Sequence, residues 1–489
     1  MEVCSKDINP ILKLDYPDLD VIRVDDIYYM ISTTMHFFPG GEILRSYDLI
    51  NWEHASFVFD SLDHTDGQRL INGQNIYGKG MWAASLRYHE GMFYVVFVCN
   101  DTHKTYLYRA SSIEGPWKKS YIDGFYHDCS LLFDEGHIYI AYGNRTVYIT
   151  ELNEELTGPK EGGLHRVAVK DSDETPLGYE GSHLYKINGR YYLFLNHSLK
   201  ERWRRTEAAF VADSIDGEFK GADVLDDDIG YLDSGVAQGG IVDTPDGRYF
   251  AILFQDRGAV GRIPVLVPAR IEEDKVLLGI DKKVPVSFDI NVPREVYDYK
   301  PLASSDMFDS FDGPSFGLKS FWQFNHEPRL ELISMDAGQR RIDITTDCIS
   351  QSLAETINIP TQRLYYPMTR VSVDIDATNI NDGDIVGLCI LQHEYAYVAV
   401  TKEDEAFYKI VNLNGKVVKK DRIDSPKQTL SFKADFTMGR DEAFFEDDIV
   451  HKMYFKLEHF VGNRAGLFIQ STKASGGTGR FMRFILEKE

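Results

Sequence analysis

Short apolar strands separated by polar turns recur along the first part of the chain, with no helical periodicity between them. The unit is an apolar strand, a polar turn and an aromatic-led strand. It appears as "DVIRVDDIYYMISTT", "SLRYHEGMFYVVFVC", "SLLFDEGHIYIAYG", "SHLYKINGRYYLFLNHS" and "GIVDTPDGRYFAILFQ". Aromatic and β-branched residues suit a pleated, packed surface, so each repeat predicts an antiparallel hairpin. A second recurring element, "RSYDLINWE", "SSIEGPWKK" and "DSIDGEFKG", begins in a turn and supplies an outer strand. The pattern predicts an all-β chain whose residues 1–300 form a five-bladed β-propeller, an architecture that protects sheet edges by radial repetition. A long β-sandwich is the alternative, and regular recurrence of one hairpin favours the propeller.

From about Ser304 the texture changes. Alternating segments such as "RVSVDIDA", "IVGLCILQ", "YAYVAV" and "KMYFKLE", with turns at "LNGK" and "NDGD", predict a jelly-roll-like β-sandwich over 301–489. The stretch "PVSFDINVPREVYDYKPL" reads as the connection, its prolines favouring an extended path. The sandwich is expected to brace the propeller and narrow its pocket rather than to bind carbohydrate itself.

In a propeller the innermost strands run in one direction along the axis, so residues just before them gather at one end of the channel. Counting back from the second aromatic of each hairpin selects Asp18, Trp82, Asp128, Glu180 and Gln238. One such acid would read as a turn cap. Three in register repel one another and raise each other's pKa, an arrangement proteins keep chiefly at functional sites. Two opposed carboxyls in a pocket suit glycoside hydrolysis, one as acid and the other as base or nucleophile. Trp82 and Phe38, in the "HFFPG" loop, are candidate platforms for the apolar face of a sugar ring.

Bulk properties narrow the partners. The chain has 489 residues, 43% hydrophobic, with 53 basic against 76 acidic side chains and a formal charge of −23. Such a field repels phosphate backbones and anionic lipid, so neither nucleic acid nor membrane partners are expected. The opening "MEVCSKDINP" lacks an export-type pattern and no long apolar run follows, which makes a cytoplasmic location the expectation. Five scattered cysteines without CxxC spacing argue against a disulfide framework or a zinc site. Walker and HExxH motifs are missing from the sequence. His36, His127, His183 and His197 fall near the expected pocket without ligand spacing, and each is read as a core histidine.

The segments "NPILKLDYPDLD", "MHFFPGGEILRSYDLINWE", "MWAASLRY", "YHDCSLLFD", "YEGSHLYKINGRYYL" and "FQDRGAVGRIPVLVP" together resemble family 43 glycoside hydrolases, the β-xylosidase and α-L-arabinofuranosidase group. The resemblance covers about the first 300 residues, and the sandwich resembles that group's C-terminal domain. It implies an inverting mechanism with Asp18 as general base, Glu180 as general acid and Asp128 as the residue that orients the acid and tunes its pKa. Arg262 matches a substrate-contacting arginine, and Gln238 joins it as a substrate contact. Two departures stand out. "PDLD" leaves Asp20 as an extra acid beside the base, and Gln238 stands where many members have a histidine near a central calcium or water cluster. No cofactor or catalytic metal is therefore expected, and an axial calcium is disfavoured. The expected activity is exo-acting release of terminal α-L-arabinofuranosyl units from short xylan-type oligosaccharides, with β-D-xylosidase or dual activity as the alternative. An endo-arabinanase and a non-catalytic carbohydrate-binding propeller are weaker rivals, and a homo-oligomer is compatible with the sequence.

Overall fold

Each predicted hairpin forms the inner half of a four-stranded antiparallel sheet in the computed structural model, which describes residues 8–290, 297–308, 318–446 and 448–489. Cys4 and parts of the predicted connection lie outside the described residues. Blade 1 comprises Asp20–Val24, Ile27–Ser32, Gly40–Ser46 and Glu53–Phe59, and blade 2 Met81–His89, Met92–Cys99, Lys104–Ala110 and Lys118–Ile122. Blade 3 comprises Ser130–Asp134, His137–Asn144, Thr146–Leu152 and His165–Lys170. Blade 4 comprises Glu180–Ile187, Arg190–Ser198, Arg205–Ala212 and Lys220–Leu225, and blade 5 Val236–Asp243, Tyr249–Asp256, Arg262–Ile271 and Val276–Leu278.

The aromatic-led second strands are apolar on both faces because both are buried between blades. In blade 2, Phe93, Val95 and Phe97 pack with Tyr29, Ile31 and Ile43 of blade 1, while Val96 faces Leu131 and Ile140 of blade 3. The ring is closed by the segment before blade 1, which runs along blade 5. Ile11 N–H bonds Pro264 O at 3.2 Å, Tyr16 N–H bonds Arg262 O at 2.9 Å, and the Asn9 amide holds Leu266 from both sides.

One buried ion pair ties the inner strands together at the axis. Asp20 accepts from Arg87 Nη1 at 2.5 Å and from Leu86 N–H at 2.8 Å, and its other oxygen lies 3.2 Å from His183 Nδ1. Arg87 donates onward to Leu131 O and Ser130 Oγ, each at 2.7 Å, and Ser130 Oγ accepts from Leu184 N–H. Tyr185, beneath the Arg87 guanidinium, accepts from Ile241 N–H at 3.0 Å. Every blade contributes to this knot. Burial alone would raise the Asp20 carboxyl, but Arg87 and His183 overcome that and hold it below the usual range.

The C-terminal part folds as two seven-stranded antiparallel sheets packed around a shared apolar core that includes Val373, Leu388, Leu430 and Phe481. Its contact with the propeller is partly ionic: Arg363 bonds Glu42 at 2.6 Å with both side chains buried, and its guanidinium lies 4.2 Å from the Tyr16 ring. Phe38 belongs to this contact and not to the pocket. Its backbone pairs in both directions with Phe324, and its fully buried ring meets Phe59 at 6.0 Å. The loop is aromatic because it serves as an interface, which corrects the expectation that Phe38 stacks on sugar. Among the described residues no helix is long and apolar enough to cross a membrane.

Arg87→Met should lower propeller stability sharply, because it leaves Asp20 buried and uncompensated. Breaking one side of such a pair costs about 3–5 kcal/mol. Denaturant unfolding checks this, and the double variant Arg87→Met with Asp20→Asn should lose less than the two single variants added together.

Candidate active site

The start of each inner strand is turned toward the axis by a local backbone feature. Asp18, Ala83, Asp128, Gly181 and Gln238 all have positive φ, and register shifts interrupt the inner strands of blades 2, 4 and 5 at these places. Non-glycine residues in this conformation cost of order 1 kcal/mol each and persist where surrounding contacts enforce them. The consequence is the predicted ring: Asp18, Trp82, Asp128, Glu180 and Gln238 line one cavity of about 160 Å³. Arg262 lines it too, as expected, together with residues the sequence did not single out: Arg205 from blade 4 and Leu457 and Phe460 from the sandwich.

Asp18 is nearly fully buried. One oxygen accepts from Arg262 Nη1 at 2.5 Å, the other from Thr33 Oγ1 at 2.7 Å. Burial raises its pKa above the usual carboxylate value against the pull of Arg262, and the charge on Asp128 adds to the rise. Glu180 has a different setting. Asn144 Nδ2 donates to it at 2.5 Å, and Arg205 Nη1 stands 3.6 Å away, outside hydrogen-bonding range. Burial first and Asp128 second push Glu180 up to about 7. Asp128 accepts from Gly181 N–H at 3.2 Å, and its own carbonyl takes Ser182 N–H, so it is fixed against the backbone that carries Glu180.

Asp256 links the Glu180 and Asp18 sides of the pocket. It accepts from Arg205 Nε on one oxygen and from Arg262 Nε on the other, each at 3.0 Å. One arginine then faces Glu180 and the other Asp18. The Arg262 guanidinium also lies 4.0 Å from the Phe460 ring, which meets Trp82 at 5.2 Å, so this wall of the pocket is shared between propeller and sandwich.

The remaining predicted residues sort clearly. Asp20 belongs to the axial knot beneath the pocket and not to the set that lines it. His183 bonds Asp20, His197 lies between Asp171 and Asp223 at 2.9 Å from each, and His36 is buried against Phe37 and Tyr77, all as core histidines. His127 instead lines the pocket, 3.6 Å from Asp128. His127, Asp128 and Glu180, all lining this pocket, bring ligand-type atoms within 4.8 Å of one another. At the position associated with an axial cation, Gln238 Oε1 is taken by Asn196 at 3.1 Å and its N–H by Glu207 at 2.7 Å.

Residues 8–276 match the family described as Glycosyl hydrolases family 43. The chain belongs to this family. Residues 308–487 match the Beta xylosidase C-terminal Concanavalin A-like domain. Among similar proteins, a Formosa agariphila beta-xylosidase is 28% identical over 66% of this chain and 59% of its own length. A Bacteroides ovatus non-reducing end alpha-L-arabinofuranosidase, BoGH43B, is 25% identical over 65% of this chain and 63% of its own. Among solved structures, the bifunctional GH43-CE of Bacteroides eggerthii superposes with a TM-score of 0.90 at 36% identity, covering 100% of this chain and 64% of that one. The family 43 chain thus spans about three fifths of the curated relatives it matches.

Asp128→Asn should move the basic limb of the pH–rate profile to lower pH. The Asp128 charge is the second cause, after burial, of a Glu180 pKa near 7, and its removal makes Glu180 lose its proton earlier. A profile of kcat/KM from pH 4 to 9 measures the shift, and an unchanged limb would show that Asp128 only caps a turn.

Proposed function

We propose that this family 43 chain is an inverting, exo-acting glycoside hydrolase that removes terminal pentosyl units from short xylan-type oligosaccharides, with β-D-xylosides as the preferred class. The observation that carries the reading is the asymmetry of two carboxyls, Asp18 and Glu180, lining one small cavity. Glu180 is raised to about 7 and can hold a proton at neutral pH, while Asp18 is ion-paired with Arg262. A carboxyl that can keep its proton beside one held in an ion pair suits the roles of acid and base. Glu180 gives its proton to the glycosidic oxygen as the bond to C1 breaks, and Asp18 accepts a proton from the water whose oxygen forms the new bond to C1 from the opposite face. Positive charge developing on the sugar is met by carboxylates, and Arg262 keeps Asp18 oriented toward the water.

Exo action is supported by size. At about 160 Å³ the cavity lies well below the roughly 300–1,000 Å³ of pockets that enclose drug-sized ligands, and it suits one ring. The order of sugars differs from the sequence-based expectation, which put arabinofuranose first. The Formosa agariphila relative is named a beta-xylosidase, and the domain matched at 308–487 carries the beta xylosidase description, which together favour xylose. α-L-Arabinofuranosyl release is the second reading, supported by the Bacteroides ovatus relative.

Rates on 4-nitrophenyl β-D-xyloside, 4-nitrophenyl α-L-arabinofuranoside and linear arabinan test the substrate class. The xyloside is expected to be fastest, and preferential attack on arabinan would sink the exo reading. Proton NMR of the first-formed sugar should show inverted configuration at C1. Glu180→Ala should lose about 10²–10⁴-fold on xylobiose but far less on the nitrophenyl glycoside, whose leaving group needs little protonation, whereas Asp18→Ala should be crippled on both. Equal losses for Glu180→Ala would remove its assignment as acid.

A further inference from the structure

The mouth of the catalytic pocket carries an apolar side chain that the acid–base machinery does not use. Trp203 lines the cavity yet is 44% exposed, whereas Trp52 and Trp322 are each 3% exposed in the core. It lies in the turn joining Arg190–Ser198 to Arg205–Ala212 of blade 4. That turn is anchored at its base, with Leu199 N–H on Arg204 O and Ser198 N–H on Leu177 O, each at 3.0 Å. Its charged residues are engaged elsewhere: Arg204 holds Asp233 at 2.7 Å and Asp226 at 2.9 Å, and Arg202 holds Asp233 at 3.2 Å. The indole is therefore presented from a braced turn with its apolar surface left open to solvent.

Blade 4 also carries Glu180, and Leu177 lines the cavity beside it. A leaving oxygen takes its proton from Glu180, so the group that departs must lie on the blade 4 side, away from Asp18 before blade 1. Leu457 of the sandwich, 40% exposed, also lines this mouth. A cavity filled by the ring being cleaved leaves the departing group among these apolar residues.

We propose that Trp203 is the stacking platform for the leaving-group sugar, and that this sugar is a xylopyranose. The proposal rests on the reading that the chain cleaves terminal pentosides. A β-xylopyranose chair carries its hydroxyls equatorially and presents flat faces of axial C–H bonds, which match an indole. A puckered arabinofuranose offers no such face. The geometry therefore selects linkages from a pentose to xylose over linkages from arabinose to arabinose.

The test compares kcat/KM on xylobiose with kcat/KM on methyl β-D-xyloside, which has the same reacting ring and no leaving sugar. Aromatic stacking is worth about 0.5–1.5 kcal/mol, so W203A should lower the ratio about 2- to 12-fold and W203F should restore most of it. In Glu180→Gln protein, titration with methyl β-D-xyloside reports the response of Trp82 in the same cavity, and xylotriose should add a further change in tryptophan emission that W203F abolishes. A wild-type ratio in W203A, or a further change with xylotriose that survives W203F, would overturn the platform. The two failures are distinguishable, since absence of pentose release by wild-type protein would remove the proposed reaction, whereas the emission titration reports on Trp203 without turnover.

Discussion

Arg87 sits where the five inner strands come together, and its guanidinium is what allows the Asp20 carboxylate to be buried there. An unpaired carboxylate at that depth would take up a proton or draw in water, and either response would loosen the strand starts. With the pair made, Ser130, Leu131, His183 and Leu184 are bonded to the same knot, which fixes the strands relative to one another. The ring of pocket residues at the strand starts is held over this floor, so its carboxyl positions depend on the buried Asp20–Arg87 pair.

The same reasoning accounts for the difference between the pocket carboxyls Asp18 and Glu180. Asp256 holds both arginines by their Nε atoms and so fixes how far each can reach. Arg262 gets within 2.5 Å of Asp18, while Arg205 stops 3.6 Å from Glu180 and also donates to Asn196. Glu180 also has Asp128 as a neighbour, which is the second reason for its raised pKa. One shared carboxylate and two unequal arginine contacts thus give Asp18 and Glu180 different settings.

The propeller was legible because its signal is local: each blade repeats a hairpin whose period of two is strong on both faces. The ring was legible for a related reason, since equivalent positions before equivalent strands must converge. The three acids of "DYPDLD" could not be told apart in the sequence, because their roles are set by distant partners. Asp15 accepts from Arg262 N–H at 2.7 Å and Gly462 N–H at 2.8 Å, Asp18 faces the pocket, and Asp20 enters the axial knot. Arg205, Asp256 and Phe460 left no local sign, as they lie in ordinary strands or in a loop of the other domain. Phe38 misled because an aromatic loop beside a pocket looks the same whether it meets sugar or a neighbouring sheet.

The sandwich enters the site through backbone contacts as much as side chains. A Cβ at Gly462 would lie 2.0 Å from Val260 O, and one at Gly261, where φ is +99°, would lie 2.2 Å from Asp15 Oδ1. Only glycine at these two places lets the loop and blade 5 approach closely enough for one carboxylate to hold both N–H groups. Arg262 is then fixed at its backbone by Asp15 and at its guanidinium by Asp18, Asp256 and the Phe460 ring. Docking of the sandwich and orientation of Asp18 therefore use the same carboxylate and the same arginine. The sandwich is coupled to the pocket through Arg262, because loosening the loop would free Asp15 and unpack Phe460 from the guanidinium that holds Asp18.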